Sequence, residues 1–348
     1  MFNNHHTNSI GILFLIGIAT LIFIGLPISS GVTTNDTSTQ NATNSSNQSN
    51  FAVLKFDNNG KFLTGWGSEG SGDGQFIHPH GISVDDLDNV YVTDQSRCSV
   101  QKFTKEGKFI TSWPLEPAGC GTVESLDVDS SGNVYVAMHH YNSTYKFADN
   151  GEFIKSWGSN GSESDDNRLV HPWGIAIDSS GNLLITSQEG IIKKFTNDGK
   201  FIAKWGSRGS GEGQFLHLHD IGLDSHGNMY VVDHYNSKIN KFTKDGEFIK
   251  SWGSKGRGEG QFRTPYGIAI DSTDKIYLVD RDNHRVQQFD SEGNFIKIWA
   301  SDKSEEGRTM DPHGIDIDSS DNVYVVDSLN AHEKRAIQKS MEQGTMVH

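Results

Sequence analysis

The chain is short of three things. It has only two cysteines in 348 residues, so it can close no more than one internal disulfide. Only seven prolines stand against 38 glycines, and the glycines recur in Asp-Gly, Asp-Asn and Ser-Gly-Asn steps, the punctuation of a turn-dense, strand-rich chain rather than a helical one. Basic residues are outnumbered, with 30 Lys and Arg against 44 Asp and Glu and a formal charge of -14. No run of Lys and Arg supplies the phosphate contacts that nucleic-acid binding needs, so that class of partner is excluded. Hydrophobic residues at 34 % and aromatics at 10 % suffice for a real core.

Long apolar runs are also scarce. The single example, Ile10 to Leu26, carries no charge and falls between the usual lengths of a signal-peptide core and a membrane span. Residues 1–28 are therefore read either as a transmembrane anchor or as a cleaved signal, and both readings export the remainder to the cell surface or the extracellular space. Residues 29–50 (SSGVTTNDTSTQNATNSSNQSN) have nothing to bury and read as a flexible stalk. Four Asn-X-Ser/Thr sequons there, at Asn35, Asn41, Asn44 and Asn47, mark a glycosylated spacer, and two more lie at Asn142 and Asn160.

What the remainder has in abundance is repetition. Trp66, Trp113, Trp157, Trp205, Trp252 and Trp299 close six similar phrases at intervals of 47, 44, 48, 47 and 47 residues, a period typical of propeller blades. The clearest copy spans residues 253–299 and predicts four strands: Gly267 to Asp271, Lys275 to Val279, Arg285 to Phe289 and Asn294 to Trp299. Residues 51–66 form only a second half-repeat and residues 311–327 only a first. Joined, they complete a sixth blade and remove the exposed sheet edges of an open array. The expected fold is all-β: a six-bladed propeller of four-stranded blades over residues 51–330, closed by strands from both ends of the chain, with an N-terminal apolar helix. The tail, residues 331–348, departs from the repeat and reads as a short helix or, through Arg335 to Lys339, as a competitor for the third strand of the last blade.

Phrases such as Asp280 to Phe289 (DRDNHRVQQF) resemble the NHL-repeat family, and the resemblance runs from Phe51 to about Asn330. It implies a six-bladed propeller, in agreement with the count. Some members append ubiquitin-ligase RING modules, which two cysteines cannot build.

Features present in every copy are architecture. The stretches GSEGSGDGQF, GSRGSGEGQF and GSKGRGEGQF lack the Gly-Lys-Ser/Thr ending of a phosphate loop and read as turns between blades. Asp85, Asp129, Asp178, Asp224, Asp271 and Asp318 are assigned to turn hydrogen bonds, and the tryptophans to packing between blades. Cys98 and Cys120 fall in loops of one face, where a disulfide is open to them in an exported protein, as are two free thiols.

Function is expected where the copies differ. Five residues before the repeated aspartate stand His80, Glu124, Trp173, His219, Tyr266 and His313. Seven before stand His78, Thr122, His171, His217, Thr264 and Asp311. Both positions enter the innermost strand and gather at one mouth of the channel, beside loops carrying Arg97, His139, His140, Tyr141, His234 and Tyr235. Alternate blades are a third of a turn apart, so Glu124, His219 and His313 form a candidate metal triad suited to Zn or Fe. A second resemblance, to the peptidyl-hydroxyglycine amidating lyases, rests on His313-Gly314, Glu124-Ser125 and His219-Asp220. It implies a zinc site, with Glu124 where that family has histidine. The blade expected to give a catalytic tyrosine reads Gln95-Ser96-Arg97-Cys98, leaving Tyr235 or Tyr141, with His80, to move the proton. The sequence reading is thus a binding module for a protein, peptide or carbohydrate, whose contacts are His78, His80, Arg97, Trp173, Tyr266, His140 and His234. Its alternative is a metal-dependent lyase or hydrolase.

Overall fold

The computed structural model describes residues 51–115, 122–158, 166–301, 304 and 307–328. The apolar segment, the stalk with its four sequons, Asn160, Cys120 and the tail lie outside them. Among the described residues no helix is long and apolar enough to cross a membrane.

Six four-stranded antiparallel sheets follow one another around a ring. Each runs from the channel outward, as in blade 5: Pro265–Ile270, Ile276–Asp280, Arg285–Phe289 and Phe295–Trp299. The expected strands are all present, and the first begins at Pro265, two residues early. There the pairing register slips between Pro265 and Ile268, so the strand starts with a bulge. Blade 6 is built as the half-repeats require: Pro312–Ile317 and Val323–Asp327 pair onward to Val53–Phe56 and Phe62–Trp66. Val53–Phe56 therefore holds the third-strand place for which Arg335 to Lys339 was a candidate. The inner strand of blade 6 packs against that of blade 1, and the ring is closed.

Two repeated devices hold it. Each strand-4 tryptophan lies on the hairpin glycine of the next blade. A Cβ at Gly151 would come within 2.4 Å of Trp113, and at Gly107 within 2.5 Å of Trp66. Those glycines also sit at positive φ, so tight packing and turn geometry select the same residue. The repeated aspartates do make turn hydrogen bonds. Asp85 Oδ1 accepts from the backbone N–H groups of Leu87 and Asn89, while Oδ2 accepts from Tyr91 Oη at 2.9 Å. Blade 3 has Leu184 in place of that tyrosine, and there Lys194 pairs with Asp178 at 2.7 Å. The Gly-rich stretches are turns closed by two-residue parallel ladders such as Ser68–Glu69 with Gln75–Phe76.

Candidate functional site

At one end of the channel the inner strands enter through six equivalent positions. In every blade the N–H after strand 2 donates to the carbonyl of the residue that opens the inner strand, as in Gln95 to His78, His234 to His217 and Arg281 to Thr264. The second and third residues after it, such as His80 and Gly81 in blade 1, lie inside the register slip and are released from pairing with strand 2. The bulge turns them toward the axis. Adjacent inner strands come so close here that a Cβ at Gly314 would lie 2.7 Å from the His80 carbonyl, which explains the repeated glycine.

His80, Glu124, Trp173, His219, Tyr266 and His313 converge on a cavity of about 30 Å³, room for about one or two water-sized groups. His80 Nδ1 lies 2.8 Å from the Glu124 carbonyl oxygen. A carbonyl can only accept, so Nδ1 carries the proton and Nε2 of the neutral ring keeps its lone pair. That lone pair faces Glu124 Oε2 at 3.4 Å. Burial pushes the Glu124 carboxyl up to about 8, against the opposing field of Arg281, so it is an acid rather than a carboxylate at neutral pH. His80 and His219 are held well below the ordinary imidazole range by burial and then by neighbouring rings. Burial lowers His313 to about 4, against a contact with Asp311 that favours its charged form.

The neck is thus uncharged, yet its polar atoms lack partners. His219 Nε2 and His313 Nδ1 are buried without a hydrogen bond, and two further contacts are long ones, Glu124 Oε2 to His80 Nε2 and His313 Nε2 to Asp311 Oδ2, each at 3.4 Å. Leaving such groups unmatched costs about 1–3 kcal/mol each, a cost that a bound group would relieve.

The metal triad is not assembled. Among the described residues no three His, Cys, Asp or Glu side chains come together as a ligand set. The residues of the intervening blades explain this. Tyr266 lies 3.7 Å from the His219 ring and 5.2 Å from the His313 ring, between the two. His80 stands 4.4 Å from His313 and faces Glu124. The chain's own donors therefore do not fit a Zn or Fe centre as they stand.

Around the neck the remaining candidates separate. Trp173 packs 4.7 Å from His219 and 5.0 Å from His217, and Tyr235, 65 % exposed, stacks on His217 at 4.7 Å. His234 lies 5.5 Å from Tyr266. His78 sits half-buried above, its ring 6.2 Å from His80 and 6.0 Å from His313. These form the rim. Arg97 Nη1 donates to the carbonyls of Gly72 and Gln75 at 2.9 and 2.8 Å and fastens the inter-blade turn. Tyr141, partly buried, packs against the hydrophobic cluster of blades 1 and 2. His140 is exposed and bonded to Thr122. Asn142 Oδ1 accepts from the His171 N–H at 2.8 Å. Cys98 is disulfide-bonded; the only other cysteine, Cys120, lies outside the described residues.

Two features escaped the sequence reading. Arg281 is bonded twice to Asp311, at 2.6 and 3.1 Å, and donates to Tyr266 Oη at 3.2 Å. It occupies the blade 5 position corresponding to His139 and His234, which was the available signal. Below the neck, a cavity of about 190 Å³ holds Asp127, Asp220 and Asp316 from blades 2, 4 and 6. Each accepts a backbone N–H of the next inner strand, from Ile177, Ile268 and Val84 respectively, and so stitches adjacent blades.

Residues 76–103 match the NHL repeat, and residues 183–242 and 224–341 match a six-bladed β-propeller family of unassigned function. No curated protein matches the chain by sequence. Among solved structures, virginiamycin B lyase from Staphylococcus aureus is 19 % identical with a TM-score of 0.54, covering 80 % of this chain and 82 % of that one. A protein of unknown function from Bacteroides thetaiotaomicron reaches 0.61 at 15 % identity, covering 80 % and 74 %. A gluconolactonase from Xanthomonas campestris reaches 0.55 at 13 % identity, covering 74 % and 88 %. At these identities the likeness is one of fold. The chain is a six-bladed β-propeller that carries an NHL repeat at residues 76–103.

Proposed function

We propose that this chain is an exported binding module, held to a membrane through residues 10–26 or released by cleavage there. Residues 29–50 then serve as a glycosylated stalk. Its partner, a protein, peptide or carbohydrate, docks on the rim and inserts an uncharged polar group into the neck. The observation that carries this reading is the pair of buried, unpartnered ring nitrogens, His219 Nε2 and His313 Nδ1, at a cavity of about 30 Å³. A well-packed protein seldom leaves such atoms unmatched without a functional reason. Their environment is dry and neutral, which favours a hydrogen-bonding group without charge over an ion.

The test is a screen of the full-length protein against arrayed glycans and capped peptides, repeated with His219→Ala. We expect a ligand whose binding weakens on the order of tenfold or more in the variant, from the loss of one buried hydrogen bond, while the variant remains folded by circular dichroism. Binding of equal strength by both proteins would move the site away from the neck.

A further inference from the structure

From the combination of an aromatic rim and a small polar neck, we propose that the ligand is a neutral sugar, its ring lying against the exposed end of the rim and one hydroxyl seated in the neck beside His219 and His313. The proposal rests on the binding reading above and names its ligand class.

Three features of the mouth point to it. First, the unpartnered atoms are mixed in kind. With the Nε2 proton of His313 directed toward Asp311, Nδ1 is an acceptor, whereas His219 Nε2 donates when its ring carries the proton there. A hydroxyl both donates and accepts, so it can satisfy a mixed set from a single atom, whereas a carboxylate only accepts and an ammonium only donates. Second, the neck, with room for about one or two water-sized groups, admits a hydroxyl and excludes a larger side chain. Third, aromatic rings climb from the neck to the surface without a break. Tyr266 lies 3.7 Å from His219, His219 4.7 Å from Trp173, Trp173 5.0 Å from His217, and His217 4.7 Å from the exposed Tyr235.

A sugar carries its hydroxyl directly on a ring whose C–H face is apolar, so stacking and insertion happen within one rigid unit at little entropic cost. A peptide would have to reach the neck on a flexible side chain while its backbone stayed outside. Charge at the mouth agrees with a neutral ligand. The guanidinium nearest the neck, Arg281, is already bonded to both oxygens of Asp311 and to Tyr266, and is not available for an acidic sugar.

The experiment is saturation-transfer NMR on the full-length protein. The probes are methyl β-glucoside, methyl β-galactoside, methyl α-mannoside, N-acetylglucosamine, glucuronic acid and a series of N-acetylated, C-amidated dipeptides. The expected result is transfer to at least one neutral sugar and none to glucuronic acid or the dipeptides. Binding should weaken on the order of tenfold in His219→Gln and measurably in Tyr235→Ala, whose surface position leaves folding intact. Transfer to the dipeptides without the sugars would overturn the sugar assignment and leave the binding reading standing. Glucuronic acid bound as well as its neutral counterparts, or sugar binding unchanged in both variants, would also overturn it. No transfer to any probe would overturn both.

Discussion

At the scale of single residues, the neck is a place where burial decides protonation. Glu124 is pushed up to about 8, and Asp220 and Asp316 to about 7, in each case chiefly by burial. In the unfolded chain these carboxyls lose their protons near pH 4. The folded state therefore holds more protons than the unfolded state up to about pH 8, and stability falls as pH rises through that window. The lowered imidazoles His80, His219 and His313 act in the opposite direction, but only below about 6.5, since above it they are neutral in both states. Between pH 6.5 and 8 the carboxyls govern. Calorimetry should show a melting temperature that declines over this interval, and Glu124→Gln should flatten the decline by about 1–2 kcal/mol. A melting temperature that rises with pH would contradict the buried, neutral assignment.

At the scale of the element, each blade is clasped to the next by a tryptophan lying on a hairpin glycine. Two glycines at similar φ separate packing from turn geometry. Gly151, at φ +86°, faces the Trp113 ring, whereas Gly181, at φ +76°, has no atom within 4 Å of a Cβ. We expect Gly181→Ala to cost about 1–2 kcal/mol, the penalty for a left-handed side-chain residue. Gly151→Ala should cost at least about twice as much, because the indole must also move. Urea unfolding midpoints of the two variants give the comparison.

The same contrast explains what could be read in advance. Tryptophans, glycines and turn aspartates recur six times, and repetition reveals a geometric demand even when no partner is known. The position of His80 was legible because it varies against that constant background. Whether Glu124, His219 and His313 would meet was not, since it depends on how far Tyr266 and His80 reach from intervening blades. The contacts of Arg97 were not legible for a similar reason. A guanidinium in a mouth loop can point to solvent or turn back on carbonyls, and the position of the Gly72–Gln75 turn, set by the fold, decides it.

At the scale of the molecule, the ring depends on Val53–Phe56 and Phe62–Trp66 completing blade 6. Without them Val323–Asp327 becomes an open edge, and Trp66 no longer covers Gly107. Deleting residues 51–66 should therefore cause aggregation, read by light scattering, and loss of a single cooperative melting transition. Closure also fixes the neck, because its six side chains come from six different blades and share no local sequence. A ligand that bridges them should stabilise the whole ring by mass action.

The most direct measurement of the central claim is the imidazole ¹⁵N spectrum of the full-length protein, labelled at histidine, with and without a ligand found by the screen. Ring nitrogens of His219 and His313 are expected to shift on binding, while those of the exposed His226, in a turn between strands 1 and 2 of blade 4, are not. Shifts confined to surface histidines, with His219 and His313 unmoved, would contradict it.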